Sequence, residues 1–269
     1  MDRKAVWAGP QKFYSDNKDL LLKYMEKNVD KTSLKQDVKA VMLPHAGYFY
    51  SGAVAAKTIS RVNIPDTVIV LAPNHTGLGR PYSIIQSGVW ETPLGPVRIC
   101  EKLAGLILAN SPLIIEDESP HINEHAIEVQ LPFLKYLNAN VSIVPMIVSD
   151  FMLSRFEEVG NCLALSIEQF AKPVLIVISS DLSHYEPVHM VKAKDKKVIQ
   201  SIVSLNPKEM FDKVTEENIS MCGFGPAAIA LYACKKMGAE TAELIEYQTS
   251  GEVTHDQTSV VGYAGIIIQ

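Results

Sequence analysis

Val41–Ser51 reads VMLPHAGYFYS, an apolar run broken by proline, then a histidine, a glycine and three aromatic residues. A small-residue pattern, Gly52-Ala53-Val54-Ala55-Ala56, follows at once. This is the grammar of a strand that ends in a working loop and feeds a helix. The arrangement recurs twice. Thr67–Leu71 leads into Ala72-Pro73-Asn74-His75, and Val174–Ile178 leads into Ser179-Ser180-Asp181-Leu182-Ser183-His184. Three histidines thus follow three apolar strands, and one edge of a sheet is where they would meet.

Working outward, the strand at Lys39–Leu43 is preceded by a helix to Lys27, with Ser15 as its expected cap. Residues 1–14 form a loop with Trp7, Phe13 and Tyr14 as anchors. Ser51 is the expected cap of the next helix, ending near Arg61. Short strands follow at Tyr82–Gln86 and Val97–Ile99, then helices at Cys100–Ala109 and about Asn123–Leu137, the latter kinked at Pro132. A strand at Ser142–Val148 precedes a helix at Leu153–Phe170. Helices are expected at Val188–Val203 and Pro207–Thr215, and another opens near Pro226 and runs to Met237. Ala242–Tyr247 and Val260–Ile268 can pair as antiparallel neighbours. Strands and helices alternate, so the expectation is an α/β fold, a central mixed sheet flanked by helices on both faces. Runs such as VLIVI suit doubly covered central strands. No linker or repeat divides the chain, and residues 1–269 read as one domain.

Apolar residues make up 47 % of the 269 and charged residues 20 %, which excludes a disordered chain. The formal charge is −5, and only 5 of the 25 basic residues are arginine, so nothing attracts nucleic acid or an anionic membrane. No apolar run reaches the ~20 residues of a membrane span. The first residues lack the apolar core of a signal peptide. Cys100, Cys162, Cys222 and Cys234 are far apart with no CxxC, which fits reduced thiols and a cytoplasmic setting.

Dinucleotide, phosphate-loop, HExxH, EF-hand and GxSxG patterns are all absent. What remains is histidine, acid and cysteine after strand ends, where open α/β sheets bind ligands. His45, His75 and His184 are the candidate metal ligands, since imidazole suits zinc or ferrous iron and three ligands leave open positions. The alternative is that each histidine merely ends its strand by hydrogen bonding. Asp181 could join the ligands, hold a histidine N–H or cap its own turn. His125 and Glu128 share a face if their segment is helical, and His125 could move a proton. Cys222 stands just before a helix, where a thiolate can be stabilised. His125, Asp181 and Cys222 are therefore the candidate catalytic residues.

Seven ordered blocks carry a family resemblance. They include Ala8-Gly9, Pro44-His45-Ala46-Gly47-Tyr48, Ala72-Pro73-Asn74-His75, Thr92-Pro93-Leu94-Gly95, Glu124-His125-Ala126-Ile127-Glu128, Ser179–Tyr185 and Cys222-Gly223. On these the chain resembles the Memo family over essentially its whole length. That family is similar in fold to the class III (LigB-type) extradiol dioxygenases, which are non-haem iron enzymes. The resemblance implies a cleft holding His45, the His75 region, Asp181, His184 and Cys222. One departure is Thr76, where the human-like form carries a second histidine. The implied activity is metal-dependent redox or oxygenase chemistry using Fe(II), with copper or zinc as alternatives. The competing expectation is a metal-free accessory protein whose cleft takes a peptide or small molecule. Some relatives are further associated with an AMMECR1-like protein and a radical S-adenosylmethionine protein. A zinc hydrolase using Asp181 or Glu128 is a third alternative.

Overall fold

The computed structural model describes residues 1–269. The first half of the chain contains α1 (Lys18–Asn28), β1 (Ala40–Leu43), α2 (Tyr48–Ile59), β2 (Thr67–Pro73), β3 (Tyr82–Ile84), β4 (Val89–Trp90), β5 (Val97–Ile99), α3 (Glu101–Asn110), β6 (Ile115–Glu116) and α4 (Leu131–Leu137). The second half contains β7 (Ser142–Val148), α5 (Leu153–Phe170), β8 (Leu175–Ser179), β9 (His184–Glu186), α6 (Val188–Val203), α7 (Pro207–Glu216), α8 (Phe224–Lys236), β10 (Ala242–Thr249), α9 (Gly251–Thr254) and β11 (Val260–Ile268).

The sheet runs in the order β10-β11-β1-β8-β2-β7-β3-β6. Its centre, β1-β8-β2-β7, is parallel. At one side β11 runs antiparallel to β1, and β10 antiparallel to β11. At the other, β3 is antiparallel to β7. The fold is therefore α/β with a central mixed sheet flanked by helices. Alternation along each strand sorts the apolar side chains into two layers. Met42, Leu71, Met146 and Ile178 pack against α5 and α8 through residues such as Val159, Leu163 and Leu231. Val41, Leu43, Val70 and Val177 pack against α1 and α2 through Leu21, Met25 and Ile59. Every residue of β1, β2 and β8 is buried, and each such Val, Ile or Leu contributes roughly 1.5–3 kcal/mol.

Four local expectations change. α1 is capped by Asn17 instead of Ser15, its Oδ1 accepting from the amides of Asp19 and Leu20. α2 starts at Tyr48, so the aromatic triplet forms its first turn. No side-chain cap is needed there, because Phe13 O accepts the Tyr48 amide and Gly47 O accepts that of Tyr50. The Ser51 hydroxyl instead donates to Ala46 O. The expected helix at 123–137 is α4 alone, preceded by a single 3-10 turn at Glu128–Gln130. Pro132 lies in the first turn of α4, where its missing N–H costs nothing. His125 and Glu128 accordingly share no helix face. β9 was not expected; it pairs antiparallel with β11.

Glu128 holds the N-terminal segment down. Its carboxylate receives Arg3 Nη1 at 2.5 Å, the amides of Val6 and Trp7 at 3.1 and 2.7 Å, and the Tyr14 hydroxyl at 2.9 Å. Arg3 also donates to the carbonyls of His121 and Glu124, and its guanidinium lies 4.6 Å from the Trp90 ring centre. Both charges are buried, so removing one strands the other. Glu128→Ala is expected to lower unfolding free energy by about 3–5 kcal/mol. Urea denaturation measures this, and a loss below ~1 kcal/mol, the scale of an exposed ion pair, would refute the anchoring role.

Candidate metal centre

The parallel strands β1, β8 and β2 are neighbours, and their carboxyl ends open into a cavity of about 760 Å³. His45, His75, His125, Asp181, His184 and Cys222 all line it. One nitrogen from each of His45, His75 and His125 lies within 4.8 Å of the other two. Ring centres are 5.2 Å apart for His45 and His75, 5.3 Å for His45 and His125, and 4.6 Å for His75 and His125.

The surrounding hydrogen bonds determine which nitrogen of each ring carries its proton. The Ser179 hydroxyl donates to Ala126 O at 2.6 Å and accepts from Gln130 Nε2 at 2.9 Å. Its oxygen therefore accepts from His45 Nδ1 at 3.0 Å, which leaves Nε2 as the acceptor nitrogen, facing the Cys222 thiol. Glu124 does the same for His75 and lies against the His125 ring. Oε1 lies 2.9 Å from His75 Nδ1 and 3.3 Å from His125 Nδ1. It also accepts the Ala126 amide at 3.0 Å, while Oε2 accepts the His75 amide at 2.6 Å. Burial pushes the Glu124 carboxyl up, but the His75 hydrogen bond and the adjacent imidazoles outweigh it and bring it down to about 2. As a carboxylate it only accepts, so His75 Nδ1 donates to it and the His75 Nε2 lone pair remains. Carboxylate–histidine pairs of this kind orient metal ligands. Three imidazoles this close fit a borderline divalent ion such as zinc or ferrous iron.

Burial, followed by the charge of His75, depresses His45 to about 3. Burial, followed by His45, brings His125 to about 3. For His75, burial pulls down but the hydrogen bond and charge of Glu124 prevail and raise it.

The remaining candidates have other tasks. His184, grouped with His45 and His75 on sequence grounds, lies outside the triplet and His125 replaces it. Its Nδ1 faces Ser220 O at 2.8 Å and its amide donates to Ser220 Oγ at 2.7 Å. Asp181 Oδ1 accepts the amides of His45 and Ala46 at 2.8 and 3.3 Å, so it shapes the His45 loop. Burial raises its pKa. Cys222 Sγ lies 3.2 Å from His45 Nε2. Burial and the Asp181 charge push this thiol well above its ordinary range, so helix α8 does not yield the thiolate its position suggested. Gly223 lets this loop approach: a Cβ there would collide with Ser180. Thr76, the family departure, turns away to bond Asn74 Oδ1. Phe13 was seen only as an anchor; its ring centre lies 4.3 Å from that of His125. Ser179 and Gln130 carried no sequence signal of a role beside His45.

The family-model comparison matches residues 3–267 to "Memo-like protein". The chain belongs to this family. A MEMO1 family protein of Methanothermobacter thermautotrophicus is 40 % identical, covering 84 % of this chain and 83 % of the relative. Those of Aquifex aeolicus and Thermotoga maritima are 38 % and 37 % identical, covering 95 % and 100 % of both partners. Among solved structures, an uncharacterized protein from Escherichia coli K12 aligns with a TM-score of 0.53 at 12 % identity, over 84 % of this chain and 99 % of that one. That likeness concerns the fold alone. No helix of this Memo chain is long and apolar enough to cross a membrane.

Acid sensitivity follows from the buried neutral imidazoles. His45 and His125 are held near 3, and burial holds His121 near 4, against an ordinary 6.5. A depressed folded-state pKa stabilises above 6.5 and loses that contribution as pH falls toward the folded value; His75, raised, acts in the opposite sense. Each extra proton taken up on unfolding adds a slope of about 1.4 kcal/mol per pH unit. Stability of the metal-free chain should therefore fall between about pH 6.5 and 4. Flat denaturation midpoints across that range would contradict the neutral assignment.

Proposed function

We propose that this chain is a metal-dependent redox protein, an oxygenase acting on a small aromatic or apolar substrate. The observation that carries the reading is the approach of one nitrogen from each of His45, His75 and His125 to within 4.8 Å of the other two, with Ser179 behind His45 and Glu124 behind His75. His45, His75 and His125 would hold the ion, Fe(II) in preference and copper or zinc otherwise. Bound iron supplies Lewis acidity and one-electron redox chemistry. Phe13, Tyr50 and Tyr263 line the cavity and offer apolar surface to a ring. His184 donates Nδ1–H to Ser220 O, which leaves Nε2 free to take a substrate proton. Asp181 keeps the His45 backbone in place. The similarity to class III extradiol dioxygenases noted in the sequence supports this chemistry.

A second reading, an accessory protein that receives a peptide, is favoured by the exposed aromatic lining of the cleft: Tyr50 and Tyr185 are 40 % and 77 % exposed. Association with AMMECR1-like and radical S-adenosylmethionine proteins belongs with it.

Anaerobic reconstitution with Fe(II), Cu(II) or Zn(II), followed by dialysis and elemental analysis, separates the two. About one ion per chain should remain, and His45→Ala or His75→Ala should abolish retention. Ser179→Ala should weaken affinity roughly 10–100-fold by releasing the His45 ring. A chain that keeps none of the three metals defeats the oxygenase reading. Oxygen uptake by the iron form with aromatic substrates then tests turnover.

A further inference from the structure

Beside the histidine cavity lies a second one of about 570 Å³, walled by Leu20 and Tyr24 of α1 and Phe49 of α2. Phe13, Gly47 and Tyr50 line both. Gly47 is the informative residue. Its φ of −54° and ψ of 146° are open to any amino acid. A Cβ there would meet Phe13 O at 3.5 Å and Tyr50 Cδ2 at 3.8 Å, ordinary contact distances. It is also the N-cap of α2 and gives that helix no side-chain cap, which serine or aspartate would supply. Neither the backbone, nor packing, nor capping asks for glycine here. What the missing side chain leaves open is space beside the Phe13 backbone and the Tyr50 ring, which with Gly47 are the residues common to both cavities. Beyond it, Leu20 and Phe49 are 57 % and 71 % exposed. Lys12 and Asp16 on that lobe have opposite charges and give it no net pull on an ion.

We propose that the ligand is elongated: a polar head lies at His45, His75 and His125, and an uncharged aliphatic or aromatic tail crosses Gly47 into the lobe between α1 and α2. The proposal rests on the histidines being a metal centre, and it adds a subsite that selects for tail length. Burial of the tail against Leu20, Tyr24 and Phe49 is what would favour long ligands.

The zinc-loaded chain, titrated calorimetrically with straight-chain hydroxamic acids from acetohydroxamate to decanohydroxamate, tests it. The head group reports the metal centre and the chain reports the lobe. Affinity should rise by about fourfold per methylene once the chain passes Gly47. Gly47→Val, and independently the surface change Leu20→Lys, should collapse the ratio of decanohydroxamate to acetohydroxamate affinity. Acetohydroxamate binding with no gain along the series overturns the subsite and leaves the metal centre standing. A full gain retained in both variants also overturns it. No binding of any member removes the metal centre and the subsite together.

Discussion

One buried carboxylate governs the geometry of this site. Glu124 is fully buried, and its two oxygens serve the His75 ring, the His75 amide, the His125 ring and the Ala126 amide. An ionised group in that position would be costly without partners. With them, it links the loop after β2 to the segment before α4, orients the His75 imidazole and lies 3.3 Å from His125 Nδ1. The third imidazole is turned by a neutral network, Ser179 with Gln130 and the Ala126 carbonyl. Ala126 thus belongs to both arrangements, its amide facing Glu124 and its carbonyl facing Ser179.

Four residues later, Glu128 directs its carboxylate to the opposite task. It collects Arg3, two backbone amides and Tyr14, and so folds the N-terminal segment over the site. Phe13 then reaches the His125 ring, and its carbonyl starts α2 by accepting the Tyr48 amide. The cavity wall and the first turn of the helix behind His45 therefore depend on the same short stretch of chain.

The sheet was legible because doubly covered parallel strands leave unbroken apolar runs; β7, α5, α6 and β11 lie at their expected bounds. Helix starts were less so. Ser51 has the chemistry of a cap, yet a backbone carbonyl 38 positions upstream takes over that work through a contact no local pattern encodes. The site was partly legible for the same reason. His45 and His75 follow strands and share an edge. His125 lies in an irregular segment, so the strand-end rule grouped His184 with His45 and His75 and left His125 as a proton carrier, whereas His125 is the ring that stands beside them. Cys222 shows the limit of reasoning from helix ends, because burial and Asp181 dominate its proton.

The position of β1 has a consequence for how the protein is made. The first strand of the chain lies between β8 and β11, and β11 is the last. The His45 amide waits for Asp181, 136 residues later, and Arg3 waits for Glu128, 125 residues later. Such distant pairings form late, after loop closure has been met. A growing chain on the ribosome exposes its histidines singly. β1 and β2, which carry His45 and His75 at their ends, are joined through β8, so these imidazoles come together only once β8 has emerged.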